Sequence, residues 1–197
     1  MYINSSIKDY LSKLSNDQPT PGGGGTSALV AALGIALAIM VAKIGLKRLE
    51  KRREKGLTRT IKLLEHIKRD AEQIIDLDPK VYQGVMASYK RLKQSGKSEK
   101  AKADVENALI NSFRLQADLA LMIVMAKQLL GTIDSFVKGS IRNDLLVSSG
   151  LLDGAFRGAV ATARINTVYM KQGKERRHCE QALRKVDQKF RKIQNLS

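Results

Sequence analysis

Pro19-Thr-Pro-Gly-Gly-Gly-Gly-Thr-Ser27 runs directly into Ala28–Ala42, a segment of small and apolar residues without a charge. Two prolines fix φ and end any helix that precedes them. The glycines Gly22, Gly23, Gly24 and Gly25 open backbone shapes closed to other residues. The apolar run reads as a helix that starts near Gly25. Its first turn offers unpaired N–H donors and the positive end of a helix dipole, which suits an anion or a polar ligand group. A flexible linker or a tight turn is the commoner meaning of such a glycine run. No Gly-Lys-Ser/Thr follows it, so it is not a Walker loop, and no strand precedes it, so it is not a dinucleotide fingerprint.

Outward from this stretch the chain reads as helix throughout, a bundle of about six to seven helices with long central ones, forming a single domain over 1–197. Ile3, Ile7, Tyr10, Leu11 and Leu14 follow the helical period, with Ser6 and Asp9 spaced as a capping box. The second helix is expected to run from Gly25 to about Lys55, with Gly56 closing it and Thr58 capping the third. Ile61, Leu64, Ala71, Ile74 and Ile75 form the stripe of that third helix. Asp78-Pro79 reads as the start of a fourth, an N-cap acid followed by proline at the first helical position. Its core face is Tyr82, Val85, Met86, Tyr89 and Leu92. A polar loop at Gln94–Lys100 leads to a long fifth helix carrying Val105, Leu109, Leu119, Met122, Ile123, Leu129 and Ile133. A sixth spans about Asn143 to Met170, and a last one repeats Cys179, Leu183, Val186, Phe190 and Ile193. No alternating strand pattern of useful length occurs.

Gly150, Gly154, Gly158, Thr162 and Asn166 recur every four residues on the sixth helix, while Ser27, Ala31, Gly34, Ala38 and Ala42 form a small-residue stripe on the second. An interior glycine costs about 0.5–1 kcal/mol relative to Ala, so three of them predict a packing reason. The expectation is a close crossing of the two helices, within a subunit or across a dimer. Ala28–Ala42 is short of the ~17–25 apolar residues of a membrane span and is expected to be a buried core helix.

Lys and Arg number 35 against 19 Asp and Glu, a formal charge of +16. Nucleic acid, an anionic membrane or a polyanionic ligand would each use that charge, but no aromatic platform or nucleic-acid motif accompanies it. Lys47, Arg48, Lys51, Arg52 and Lys55 share one face, as do Lys185, Lys189 and Lys192, and a solvated surface is the first expectation for both. Cys179 is the single cysteine and His66 and His178 the only histidines, so neither a disulfide framework nor a structural zinc site is expected. The N-terminus lacks a signal-peptide layout, which predicts a cytoplasmic protein. No Ser-His-Asp or Cys-His arrangement is legible, which leaves carboxylates and amides for chemistry. Asp17, Asp76, Asp78, Asp144 and Asn166 are the candidates, and Asp78 and Asp144 also read as plain N-caps.

Asp17 to Gly34, with Met40-Val-Ala42, resembles the opening of the cyclodeaminase/cyclohydrolase domain of folate metabolism. Two further blocks carry the resemblance in order: Asp76-Leu-Asp78 with Tyr82 and Val85 to Tyr89, then Asn143-Asp144 with Arg157-Gly158-Ala159 and Arg164-Ile165-Asn166. The chain differs from the family's usual pattern at Gly25, Asn143, Thr162 and Leu115-Gln116, and lacks a Gly-Asn loop at Val137–Ser140. The resemblance implies an all-α homodimer that acts on methenyl- or formimino-tetrahydrofolate without metal or organic cofactor. It implies Asp144 and Asp78 as catalytic carboxylates that stabilise a cationic one-carbon centre and shuttle protons. It implies substrate binding by Pro21, Gly22, Gly23, Gly24, Gly25, Asp76, Tyr82 and Asn166, where the glycine loop, the Asp76–Tyr82 segment and the start of the sixth helix converge. The alternatives are a divergent folate-binding helical dimer that is catalytically weak or inactive, and a basic protein of nucleic acid or membrane surfaces.

Overall fold

The apolar run is a helix, and the rest of the molecule is arranged around it. In a computed structural model, which describes residues 1–47, 51–96 and 98–194, a short 3-10 turn at Tyr2–Asn4 precedes α1 (Ile7–Leu14) and α2 (Gly23–Leu46). They are followed by α3 (Lys51–Gln94), α4 (Glu99–Asp134), α5 (Ile141–Tyr169) and α6 (Lys174–Gln194). The described residues contain no strand.

The four long helices α2 to α5 form an antiparallel ring. Gly23, Ser27 and Gly34 of α2 lie against Thr162, Gly158 and Leu152 of α5. At the opposite side of α2, Gly25 meets Ile75 and Asp78 of α3, while Gly45 meets Leu57. Asp78 of α3 reaches Gln116 of α4, and Lys127 and Asp134 of α4 pair with Asp153 and Arg142 of α5. α6 covers α4 and α5, where Phe190 stacks on Phe156 at 3.7 Å between ring centroids. The core contains Ile35, Leu57, Leu64, Ile75, Leu109, Leu119, Ile123, Ile133 and Leu152, all at most 2% exposed. α2 and α4 are each long and apolar enough to cross a membrane, yet half of α2's apolar window is buried against its neighbours.

The expected third and fourth helices are one. α3 continues through Gly56 and Pro79, so Gly56 is not a stop, Thr58 is not a cap and Asp78 is not an N-cap. A proline inside a helix removes the bond that the carbonyl four residues back would accept. Here that carbonyl belongs to Ile75, and it faces Gly25 on the first turn of α2. The second helix ends at Leu46 rather than near Lys55. Arg48 and the side chains of Lys51 and Arg52 lie outside the described residues, while Lys185, Lys189 and Lys192 are exposed, as a solvated face requires. The Ser6–Asp9 cap forms, with the Asp9 N–H donating to Ser6 Oγ at 3.1 Å. Of the expected α1 stripe only Tyr10 is fully buried, and Ile7 and Leu11 are exposed.

The close crossing of α2 and α5 is present, and of the three α5 glycines in the repeat it is Gly158 that meets α2. Ser148 donates its hydroxyl to the Gly34 carbonyl at 2.7 Å. A methyl added at Gly158 would overlap Ser27 Oγ. Gly150 and Gly154 face open space, with nothing within 4 Å of an added methyl. The three glycines drift around α5, because a four-residue step overshoots the 3.6-residue turn.

Candidate active site

At the N-terminal end of α2 the ring opens into a cleft of about 590 Å³. Gly22, Gly23 and Gly24 form one wall with Pro19 and Thr20. Asp78, Tyr82, Val85, Met86 and Tyr89 of α3 form a second. Leu109 and Ser112 of α4 close the base, and Thr162, Ile165, Asn166 and Tyr169 of α5 complete the lining. Among the described residues the lining holds one carboxylate, three tyrosines and no lysine or arginine.

Asp78 is the chemical centre of this cleft. It projects from the middle of α3 onto the first turn of α2, where its Oδ2 accepts the Gly25 N–H at 3.0 Å. It thereby caps α2 from another helix, since the N-cap residue Gly22 has no side chain to do so. Its Oδ1 accepts an N–H from the Gln116 carboxamide at 2.7 Å. Burial pushes the Asp78 carboxyl above its ordinary range, and the bonds from Gly25 and Gln116 oppose that shift without cancelling it. Gly24 must be a glycine here: a methyl would lie 2.6 Å from Asp78 Cγ and closer still to Oδ1 and to Gln116 Nε2.

The remaining expected site residues divide into two groups. Gly22, Gly23, Gly24, Tyr82 and Asn166 line the cleft with Asp78. Gly25 touches the cleft's chemistry only through its bond to Asp78, and Pro21 is buried behind the loop. Asn166 donates its amide to the Thr162 carbonyl at 2.9 Å, which leaves its carbonyl oxygen available. Asp76 lies elsewhere. It is 8% exposed, accepts the Tyr2 N–H and borders a separate hollow with Met1, Lys13 and Pro79, so it anchors the N-terminal segment. Two positions along a helix turn a side chain by about 200°, which is why Asp76 and Asp78 cannot share a face.

Asp144 does not join the cleft within one chain. It sits in the first turn of α5, roughly 27 Å along the helix axis from the cleft-lining Thr162. It is not the N-cap, a position held by Ser140. The cleft therefore meets the C-terminal half of α5 and not its start. Tyr82 and Met86, expected in the core, are partly exposed cleft residues.

Gln116 is the residue that the sequence reading left without a role. It is fully buried, and its Oε1 has no hydrogen-bond partner. The signal was a polar residue on the apolar stripe between Leu109, Phe113, Leu119 and Ile123, where a buried amide calls for a hydrogen-bond partner. Tyr10 supports the same corner from α1. Its hydroxyl lies 3.2 Å from Thr26 Oγ1, and Thr26 in turn donates to the Gly22 carbonyl at 2.8 Å.

Residues 6–185 match the family model described as formiminotransferase-cyclodeaminase. A methenyltetrahydrofolate cyclohydrolase of Methylorubrum extorquens is 31% identical over 101 residues, covering 51% of this chain and 49% of that protein. The chain thus aligns with about half the length of that relative. A crystal structure of formiminotetrahydrofolate cyclodeaminase from Thermotoga maritima superposes with a TM-score of 0.85 at 22% identity, covering 96% of this chain and 92% of the other. By sequence match over most of its length and by shared fold, the chain belongs to the formiminotransferase-cyclodeaminase family.

Proposed function

We propose that the chain is a folate one-carbon enzyme that acts on methenyl- or formimino-tetrahydrofolate, as a cyclohydrolase or a cyclodeaminase. One observation carries this reading: a half-buried carboxylate faces a tyrosine-lined cleft that, among the described residues, contains no lysine or arginine to neutralise it. Such a site selects a flat cation. The methenyl group is an amidinium-like cation bridging two nitrogens, and a carboxylate beside it stabilises its charge at low local dielectric. Tyr82, Tyr89 and Tyr169 offer aromatic faces to the pterin, while Thr20, Ser112, Thr162 and Asn166 offer hydrogen bonds to its edges.

In the hydrolytic direction, water adds to the bridging carbon and a C–O bond forms. Asp78 takes the proton that the water loses. It then returns that proton to the ring nitrogen as the C–N bond breaks, while the remaining hydroxyl proton passes to solvent as the C=O bond forms, leaving the formyl product. A carboxyl whose affinity for protons is raised by burial suits both halves of this exchange. The same steps in reverse close the ring from the formimino form, with ammonia as the leaving group. This chemistry asks for no metal or organic cofactor, and it fits a cytoplasmic protein.

The active form in this reading is a homodimer. Leu33 and Met40 of α2 and Leu146, Val147, Ile165 and Val168 of α5 are exposed on an apolar face that also carries open Gly150 and Gly154. Gly154 is near the midpoint of α5. A two-fold crossing there would bring the start of one α5 alongside residues near Arg164 of the other. That crossing is how Asp144 would reach a cleft.

Purified protein incubated with methenyltetrahydrofolate should deplete its near-ultraviolet absorbance, and with the formimino form should release ammonia. Binding without turnover of either would make it a folate-binding protein. Failure to bind either would end the folate reading.

A further inference from the structure

The buried amide of Gln116 has one hydrogen-bonding end in use and one idle. Its nitrogen donates to Asp78 Oδ1 at 2.7 Å, and its Oε1 is buried without a partner. An unsatisfied buried acceptor is unfavourable, and a second charge state of Asp78 would engage this one. If Asp78 picks up a proton on Oδ1, the present contact sets donor against donor. A half-turn of the carboxamide plane exchanges Oε1 for Nε2 and gives the new O–H an acceptor. An amide is one of few side chains that can bond both forms of a carboxyl from one position.

We propose that Gln116 is a positioning residue that keeps Asp78 bonded in both charge states, turning its amide over each time Asp78 gains or loses a proton. The inference rests on the folate reading only for what Asp78 does with that proton. The geometry around Asp78 leaves this task to few other groups. Facing it from α2 is the Gly25 N–H, from α1 the Tyr10 phenol, and from its own helix Tyr82. Across the cleft, α4 presents Ser112 and α5 presents Thr162, Asn166 and Tyr169. None of these is a cation, and Gly25 supplies a fixed donor that cannot become an acceptor. Gln116 is also held in place: it is fully buried, and Gly24 approaches so closely that the amide cannot shift toward α2. Rotation about its own plane is the motion left to it.

The test follows the Asp78 carboxyl directly by carbon-13 NMR titration, in the parent, in Gln116→Leu and in Gln116→Glu. In the parent, a single titration is expected with the fold unchanged on both sides. Gln116→Leu removes donor and acceptor at similar volume. Because the charged form loses more than the neutral form, the midpoint should move up by about one pH unit or more. Gln116→Glu adds a second carboxyl that can share a proton with Asp78, and two coupled steps should replace the single one. Turnover gives the second readout: kcat should fall at least about tenfold in Gln116→Leu, with KM changed little and the acid limb displaced with the NMR midpoint. An unchanged Asp78 titration in both variants would overturn the proposal, as would a kcat loss whose pH profile keeps its shape. If Gln116→Leu does not fold, Gln116→Glu gives the same decision. If the parent turns over no folate, the function reading fails while the titration still decides the role of Gln116.

Discussion

Replacing Gly24 by alanine adds one methyl group at the point where three helices meet. The methyl would lie 2.6 Å from Asp78 Cγ and closer still to Asp78 Oδ1 and Gln116 Nε2. Neither neighbour can yield freely, since Asp78 is tied to Gly25 at 3.0 Å and Gln116 is fully buried. The carboxylate must retreat and give up one or both of its bonds. A hydrogen bond to a charged group is worth about 1.5–3 kcal/mol, and overpacking costs about 1–3 kcal/mol. Better helix propensity of Ala returns up to about 1 kcal/mol. The net expectation is a loss of about 2–4 kcal/mol, which for a chain of this size lowers Tm by roughly 5–15 °C. Turnover should fall about 100-fold, the usual consequence of moving a reacting group by about 1 Å. The neighbouring glycines are internal controls. A methyl at Gly23 would lie 3.7 Å from Thr162 Oγ1, an ordinary contact, and Gly23→Ala should be as stable as the parent or more so. Gly25→Ala, whose methyl would lie 3.2 Å from the Ile75 carbonyl, should fall between them. Urea melts and absorbance-based turnover on the three variants decide the matter. Equal stability and activity in Gly24→Ala, or a reversed order, would refute the reasoning.

Asp78→Asn should abolish turnover while the fold survives, because the turned Gln116 amide can accept from the new Asn amide. Burial raises the Asp78 pKa above its ordinary value of 3.8, so the stability linked to its protonated form is full below that value and lost as pH rises through the folded value. The variant has no such loss, and its stability relative to the parent should therefore rise with pH across that window; melts showing the opposite slope would contradict the burial argument. Lys127→Ala should cost about 3 kcal/mol, the low end for breaking a buried ion pair, because Lys127 is 5% exposed while its partner Asp153 keeps a side-chain exposure of 30%. Chemical denaturation measures it, and a loss below about 1 kcal/mol would place the pair among ordinary surface bridges. Gly154→Leu should leave the subunit's melt intact yet turn a dimer into a monomer by light scattering; a persisting dimer would remove the α5 crossing. Asp144→Asn should lose turnover, and refolding it with Asp78→Asn should restore about a quarter of parental activity, since half the dimers would be mixed and each would hold one intact site. No loss in Asp144→Asn would exclude Asp144 from the site.

The helices and most of the core were legible because apolar spacing reports which side of a helix is buried. Ile61, Leu64, Ala71, Ile74 and Ile75 are buried as their period requires. Asp78-Pro79 misled for a physical reason. The pair is a strong helix-start signal locally, but tertiary packing carries α3 across it and gives Asp78 to another helix's first turn. Gly150 and Gly154 take no part in the crossing, because a repeat of small residues does not say which of them meets a neighbour. The cleft's glycines, Tyr82 and Asn166 were found through motifs. Gln116 was not assigned a role, since its function depends on a partner thirty-eight positions away.

The N-terminal segment changes how variants of this protein would be scored. The Tyr2 backbone N–H secures Asp76, two positions from Asp78, and the Tyr10 hydroxyl lies by Thr26 in the first turns of α2, yet neither residue lines the cleft. Under the proposed function, a growth selection for folate turnover would mark Tyr10 alongside Asp78, and a map drawn from such hits alone would extend the catalytic centre to a residue outside the cleft lining.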